Sequence, residues 1–199
     1  PLFGDLGSSL HTAAFNQVMR GYDIPTFANC PSMCSSKTVD IQSGYERALS
    51  TLAAAMSGAN LIVLHGGVYG EYTYHPVMAV LDDDIATWVG RFMEGFRVND
   101  ETMALDLIDE VGPIPGSYLG KTHTRKTWRA QRFEPVAADR STYPEWLSGG
   151  KKTAFDYAKS RMEEILKTHK VPPLPEDQDR EIDNILEEAR MYYKNKGFL

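Results

Sequence analysis

The sequence predicts an α/β chain with parallel strands, and three observations carry that prediction. Helical and strand-like patterns alternate through the first half, in the order helix, strand, helix, strand, helix. The run Asn60-Leu61-Ile62-Val63-Leu64 is apolar without alternation and stops at His65-Gly66-Gly67, which reads as a strand covered on both faces. Just past that stop come Tyr69, Glu71, Tyr72, Tyr74 and His75. Parallel sheets gather their chemistry beyond the carboxyl ends of the strands, so this crowding points to a site, against the plainer reading of a solvated Tyr-rich loop.

Each element follows from local signals. From Ser8 to Gly21, Leu10, Ala14, Phe15, Val18 and Met19 recur at helical spacing, with Ser8 or Ser9 as cap and Gly21 as stop. Ile24 to Asn29 reads as a short strand with Pro25 near its start, followed by a loop from Cys30 to Thr38. Asp40 is placed to cap a long helix with an apolar face of Ile41, Tyr45, Ala48, Leu49, Leu52 and Met56, ending at Gly58. Asp82-Asp83-Asp84 puts negative charge where a helix would begin, ahead of Ile85, Trp88, Val89, Phe92 and Phe96. Asn99, Asp100 and Glu101 open a further helix that closes at Gly112-Pro113. Beyond Gly112 the alternation ends: helices are expected near His123–Arg132, Tyr143–Leu147 and Lys152–His169. A proline-rich linker from Val171 to Glu176 precedes a last helix carrying Ile182, Ile185, Leu186 and Ala189.

Composition narrows the function classes. The chain has 199 residues and a net charge of -6 with both signs mixed, which argues against a nucleic-acid footprint and favours a small molecule or a protein partner. No apolar stretch approaches the ~20 residues that span a bilayer and no secretion signal opens the chain, so a cytoplasmic location is expected and no membrane partner. Two cysteines, Cys30 and Cys34, make no disulfide framework. Two strands cannot close a sheet, and an eightfold barrel takes about 250 residues. The chain therefore reads as the carboxyl-terminal part of something larger, with processing or truncation ahead of Pro1.

The ordered blocks Ser36-Lys37, Gln42-Ser43-Gly44-Tyr45-Glu46, Ser57-Gly58-Ala59-Asn60-Leu61-Ile62 and Asp83-Asp84-Ile85 carry a resemblance. So do Val98-Asn99-Asp100-Glu101-Thr102-Met103-Ala104-Leu105-Asp106, Val111-Gly112-Pro113, Leu119-Gly120-Lys121-Thr122-His123-Thr124-Arg125 and Asp139-Arg140-Ser141-Thr142-Tyr143-Pro144-Glu145-Trp146. Together, over about Pro1 to Leu166, they resemble the trimethylamine methyltransferase family. The resemblance implies a (β/α)8 TIM-type barrel, of which residues 1–112 would supply the last strand–helix units and residues 113–199 a helical carboxyl-terminal extension. It implies methyl transfer from a methylated amine, trimethylamine or a quaternary amine such as a betaine, to the cobalt of a corrinoid carried by a partner corrinoid protein. Members with pyrrolysine use trimethylamine and many others quaternary amines; the absence of a non-standard residue here leans to the second group.

Read as chemistry, a quaternary ammonium has no proton to donate, so aromatic faces must hold it. Tyr69, Tyr72 and Tyr74 fit that need, with Glu71 to balance the charge, unless they merely pack over the barrel mouth. Tight cation binding would stabilise substrate over a transition state that is losing its charge, so an incomplete cage and weak affinity are expected. His65 is the candidate catalytic residue, against a packing role. Cys34, Ser35, Ser36 and Lys37 border the same mouth, the serines small enough for a flat cofactor to approach. His123, Thr124 and Arg125 near a helix start could meet a corrinoid rim or a carboxylate, or lock the extension in place. Two other classes stand beside this: a zinc enzyme using Cys30, Cys34, His65 and His75, and a non-catalytic protein that binds an amine or a corrinoid protein. Unpaired strand edges predict a homo-oligomer.

Overall fold

The computed structural model of this chain describes residues 4–70 and 72–198, and the chain divides at Glu164 into two units. In the first unit, helix α1 (Leu6–Gly21) leads to strand β1 (Phe27–Ala28), a short 3-10 turn (Cys30–Ser32) and helix α2 (Ile41–Met56). Strand β2 (Leu61–Ile62) then pairs parallel with β1, Phe27 opposite Leu61 and Ala28 opposite Ile62. The pairing extends on either side: Asn60 and Leu61 N–H donate to the Thr26 carbonyl, and Val63 N–H to that of Ala28. This β–α–β unit is the observed part of the predicted parallel architecture. The chain as a whole is helix-rich with few, short strands.

Next comes a hairpin, β3 (Gly67–Val68) against β4 (Thr73–Tyr74), where the sequence predicts only a loop. Helices α3 (Pro76–Glu94), α4 (Asp100–Met103), α5 (Leu105–Val111), α6 (Thr122–Gln131), α7 (Tyr143–Ser148) and α8 (Ala154–Thr168) follow, α8 crossing the division. In the second unit, α9 (Glu176–Asn195) carries Glu176, Asp177 and Asp179 in its first turn and Lys194 in its last, matching its dipole.

Several expected boundaries move. Helix α1 starts at Leu6 after Asp5, not after Ser8 or Ser9. Helix α3 starts at Pro76, not at Asp82: proline at the first helical position loses no hydrogen bond and presets φ. The acidic run therefore lies inside the helix, with Asp82 and Asp84 buried. The helix expected from Asn99 is capped as predicted, by a reciprocal Asn99–Thr102 box, but breaks where Ala104 adopts a left-handed conformation (φ 48°).

Helix α2 departs most from expectation. Its cap is the predicted one, Asp40 accepting from Ser43 N–H while Ser43 Oγ accepts from Asp40 N–H. Its faces are inverted. Ser43, Arg47, Ser50, Thr51 and Ala54 are buried, while Ile41, Tyr45, Leu49 and Met56 are exposed. Leu61 of β2 and Phe27 of β1 are exposed as well, so the strand predicted to be covered on both faces is open on one. The apolar core is two small clusters: Cys34, Val68 and Met78 with Val39, Leu81 and Ile85 around them, and Val77, Ala137 and Ala158 with Val80 and Met162. Asp84 ties the second cluster by accepting from the Val136 and Ala137 N–H groups.

Candidate functional site

Two loops leave the carboxyl ends of β1 and β2 and are stitched together. Tyr69 N–H donates to the Ser36 carbonyl at 2.8 Å and Gly70 N–H to that of Cys34 at 2.7 Å. To make those bonds Tyr69 and Gly70 both take positive φ, 55° and 62°. For tyrosine that conformation costs about 1–2 kcal/mol, which the paired loops must hold in place. The two segments singled out separately in the sequence, Cys34–Lys37 and the tyrosine-bearing stretch, thus form one surface.

On that surface the rings of Tyr69 and Tyr72 lie 5.6 Å apart at 44°, and the Lys37 ammonium sits over the Tyr69 ring, 5.7 Å from its centroid. Tyr74 is exposed on β4 opposite Gly67 and makes no ring contact with either tyrosine. Glu71 lies outside the described residues. His65 is exposed at the end of β2. Cys34 and Ser36 face inward: the Cys34 thiol lies against the carbonyls of Ser36 and Gly67, and Ser36 Oγ donates between Thr38 O and Asp40 Oδ1. Ser35 is half-buried, its N–H held by Glu46 Oε2 at 2.6 Å. Burial pushes both the Cys30 and the Cys34 thiols up from the ordinary range, so neither is primed as a thiolate.

Behind the loops lies a buried polar latch. Arg47 Nη1 donates to both Asp82 oxygens, at 3.0 and 2.8 Å, and Nη2 donates to the Ser32 and Gly67 carbonyls. Asp82 Oδ2 also accepts from Gly66 N–H at 2.6 Å. Burial raises the Asp82 carboxyl above its usual range, opposed by Arg47, the Gly66 bond and nearby His65. One ion pair thus gathers the first loop, the segment after β2 and helix α3. Only glycine fits at 66, where φ is 78° and an added Cβ would lie 2.9 Å from Ala79 and from the His75 carbonyl.

Sequence reasoning missed Arg47, Glu46 and Asp82. A signal existed: moving the start of α3 to Pro76 puts Asp82 on the helix face of Met78 and Ile85, where a carboxylate needs a buried partner.

His123, Thr124 and Arg125 fall in the first turn of α6, as expected, but among the described residues nothing bonds them to the two loops. His123 Nε2 meets the Glu101 carbonyl at 2.8 Å and lines a separate cleft of about 230 Å³ with Phe96, Arg97, Thr102, Thr127 and Gln131. Here two of the sequence blocks join each other rather than the strand ends. Among the described residues Cys30, Cys34, His65 and His75 form no metal-ligating group; His75 instead lies against Phe155, with ring centroids 6.4 Å apart. Among the described residues no helix is long and apolar enough to cross a membrane.

Comparison with known proteins finds relatives along nearly the whole chain. A family model described as trimethylamine methyltransferase (MTTB) matches residues 1–191. The chain is 32% identical over 179 residues to a glycine betaine methyltransferase of Desulfitobacterium hafniense, covering 88% of this chain and 35% of that one. It is 31% identical over 180 residues to the trimethylamine methyltransferase MttB of Methanosarcina barkeri (90% and 36%), and 32% identical over 168 residues to that of Methanosarcina thermophila (84% and 34%). The chain spans about a third of the length of the relatives it matches.

Proposed function

Because the chain belongs to the trimethylamine methyltransferase family, we propose that it forms the substrate-facing part of an amine methyltransferase. The reaction moves a methyl group from a methylated or quaternary amine to the cobalt of a corrinoid on a partner protein. The observation that carries this reading is the single surface made by the two stitched loops at the ends of adjacent parallel strands, with the Tyr69 and Tyr72 rings on it.

The rings hold a trimethylammonium head by the attraction of a cation to an aromatic face. An open pair, with Tyr72 mostly exposed, holds it weakly, as suits a nitrogen that becomes neutral when its methyl group leaves and the C–N electron pair stays behind. A partner's corrinoid, when bound, supplies the cobalt nucleophile. Its approach fits the outward-facing parts of this surface, His65, Ser35 and Lys37; buried Cys34 and Ser36 contribute the shape of the loop. His65, exposed just past β2, orients the reacting groups, and Glu71 offers a counter-charge. The cleft of His123, with Thr124 and Arg125 on the same helical turn, is a second place where the partner or its cofactor docks.

In the whole polypeptide, residues 1–112 form the last units of a TIM-type barrel and residues 113–199 a helical extension, in a cytoplasmic homo-oligomer. The exposed apolar residues of α1, α2, β1 and β2 support that reading, because barrel neighbours would cover them.

The test is spectroscopic. Reduced cobalamin, saturating glycine betaine or trimethylamine, and the polypeptide carrying this chain should give methylated cobalt, and His65→Ala should slow the reaction while leaving amine affinity nearly intact. Amine binding without any methylation would assign the chain to a non-catalytic binding role instead.

A further inference from the structure

We infer that Lys37 sets the specificity of the strand-end site, selecting a zwitterionic quaternary amine, whose carboxylate meets the Lys37 ammonium, over an amine that carries positive charge alone. The inference rests on the amine-methyltransferase reading and narrows it to a substrate class.

It starts from a contact already in place. The Lys37 ammonium lies over the face of Tyr69, the ring that also pairs with Tyr72. This is where a substrate's ammonium would sit. The chain thus holds its own cation against the ring, and an incoming cation must displace it and then remain beside it.

Among the described residues, the neighbouring carboxylates are engaged elsewhere. Asp82 is buried against Arg47 and Gly66, Asp40 accepts from Ser36 Oγ and Ser43 N–H, and Glu46 from Ser35 N–H and the Gln42 amide. Among the described residues Lys37 makes no ion pair. Meanwhile its backbone is fixed next to the ring, because the Ser36 carbonyl accepts from Tyr69 N–H at 2.8 Å. The stem can swing but cannot leave.

A bare cation entering here meets like charge at close range, which disfavours it. A betaine carries a carboxylate one methylene from its trimethylammonium nitrogen. Its head takes the ring face as Lys37 swings off, and its carboxylate receives the displaced ammonium, so both charges gain a partner in one step. Lysine suits this role because it is a compact charge on a flexible stem.

Glycine betaine and choline are the discriminating probes, since they share the trimethylammonium head and differ in carboxylate against hydroxymethyl. Isothermal titration of the chain at low ionic strength should show betaine bound about five-fold more tightly than choline, the scale of an exposed ion pair. The preference should shrink as salt is added. Lys37→Met, which keeps the stem, should bring the ratio to about one, and Lys37→Glu should reverse it in favour of choline. An unchanged ratio in Lys37→Met, or equal affinities in the unaltered chain, would overturn the inference while leaving the amine site standing. Failure of the unaltered chain to bind either probe would overturn the amine-site reading and this inference with it.

Discussion

The two faces of helix α2 reverse the usual relation between chemistry and burial. On one face Arg47 is fully buried and reaches Asp82, Ser32 and Gly67; on the other Ile41 is 84% exposed and Leu49 62%. The inward face is polar because it holds backbone: Arg47 satisfies the Ser32 and Gly67 carbonyls, and Glu46 beside it accepts from the Ser35 N–H. The outward face is apolar without covering. A periodic stripe therefore reports that a helix has an apolar side, and leaves open whether that side meets this chain or something beyond it.

The largest way to break this comparison is on the buried face. Arg47→Met should cost about 3–5 kcal/mol of unfolding free energy, because it leaves the Asp82 carboxylate buried without its partner. Urea denaturation measures it, and Arg47→Met combined with Asp82→Leu should cost less than the sum of the single changes. Next come the rings: Tyr69→Leu or Tyr72→Leu keeps bulk but removes the π face, so affinity for a quaternary amine should fall by about 0.5–2 kcal/mol in calorimetry. Tyr74→Leu should do less, since Tyr74 stands outside the ring pair.

On the outward face the effect on the fold should nearly vanish. Leu49→Lys should leave unfolding within about 0.5 kcal/mol, yet reduce self-association seen by light scattering. A monomer at high concentration before substitution would contradict the oligomer expected from this face.

The smallest effect concerns the helix start. The Asp40 carboxyl is held below its usual range by the Ser43 N–H and then by the Ser36 hydroxyl. A depressed folded-state pKa means the stabilisation is present above the ordinary aspartate range and lost as pH falls through the lowered value. Asp40→Asn, which keeps an acceptor, should flatten that acid-side slope in pH-dependent thermal melts.

The sequence made legible what depends on short-range chemistry. The Asp40 and Asn99 caps, the strand before His65 and the two loops flanking the strand ends are all read from neighbouring residues. Their convergence was inferable because parallel strands joined by a helix put their carboxyl ends on the same side. What stayed hidden depends on contacts across many residues. Nothing near Arg47 announces Asp82, 35 positions away, and the acidic run imitates a helix start so well that Pro76 is overlooked. The break at Ala104 is hidden for another reason: alanine favours helix, and its left-handed backbone has no local signal. The place of His123 to Arg125 at a helix start is legible, but the contact of His123 with the Glu101 carbonyl is a tertiary fact.

The central claim is that the latch behind the strand ends makes two loops one site, and hydrogen exchange at three amides tests it most directly. Gly66, Tyr69 and Gly70 N–H groups bond to Asp82, Ser36 and Cys34, so in the unaltered chain they should be protected together. In Arg47→Met all three should lose protection in concert, while the capped start of α2 at Ser43 keeps its own. Unprotected Tyr69 and Gly70 amides in the unaltered chain, or protection that survives loss of Arg47, would contradict the account.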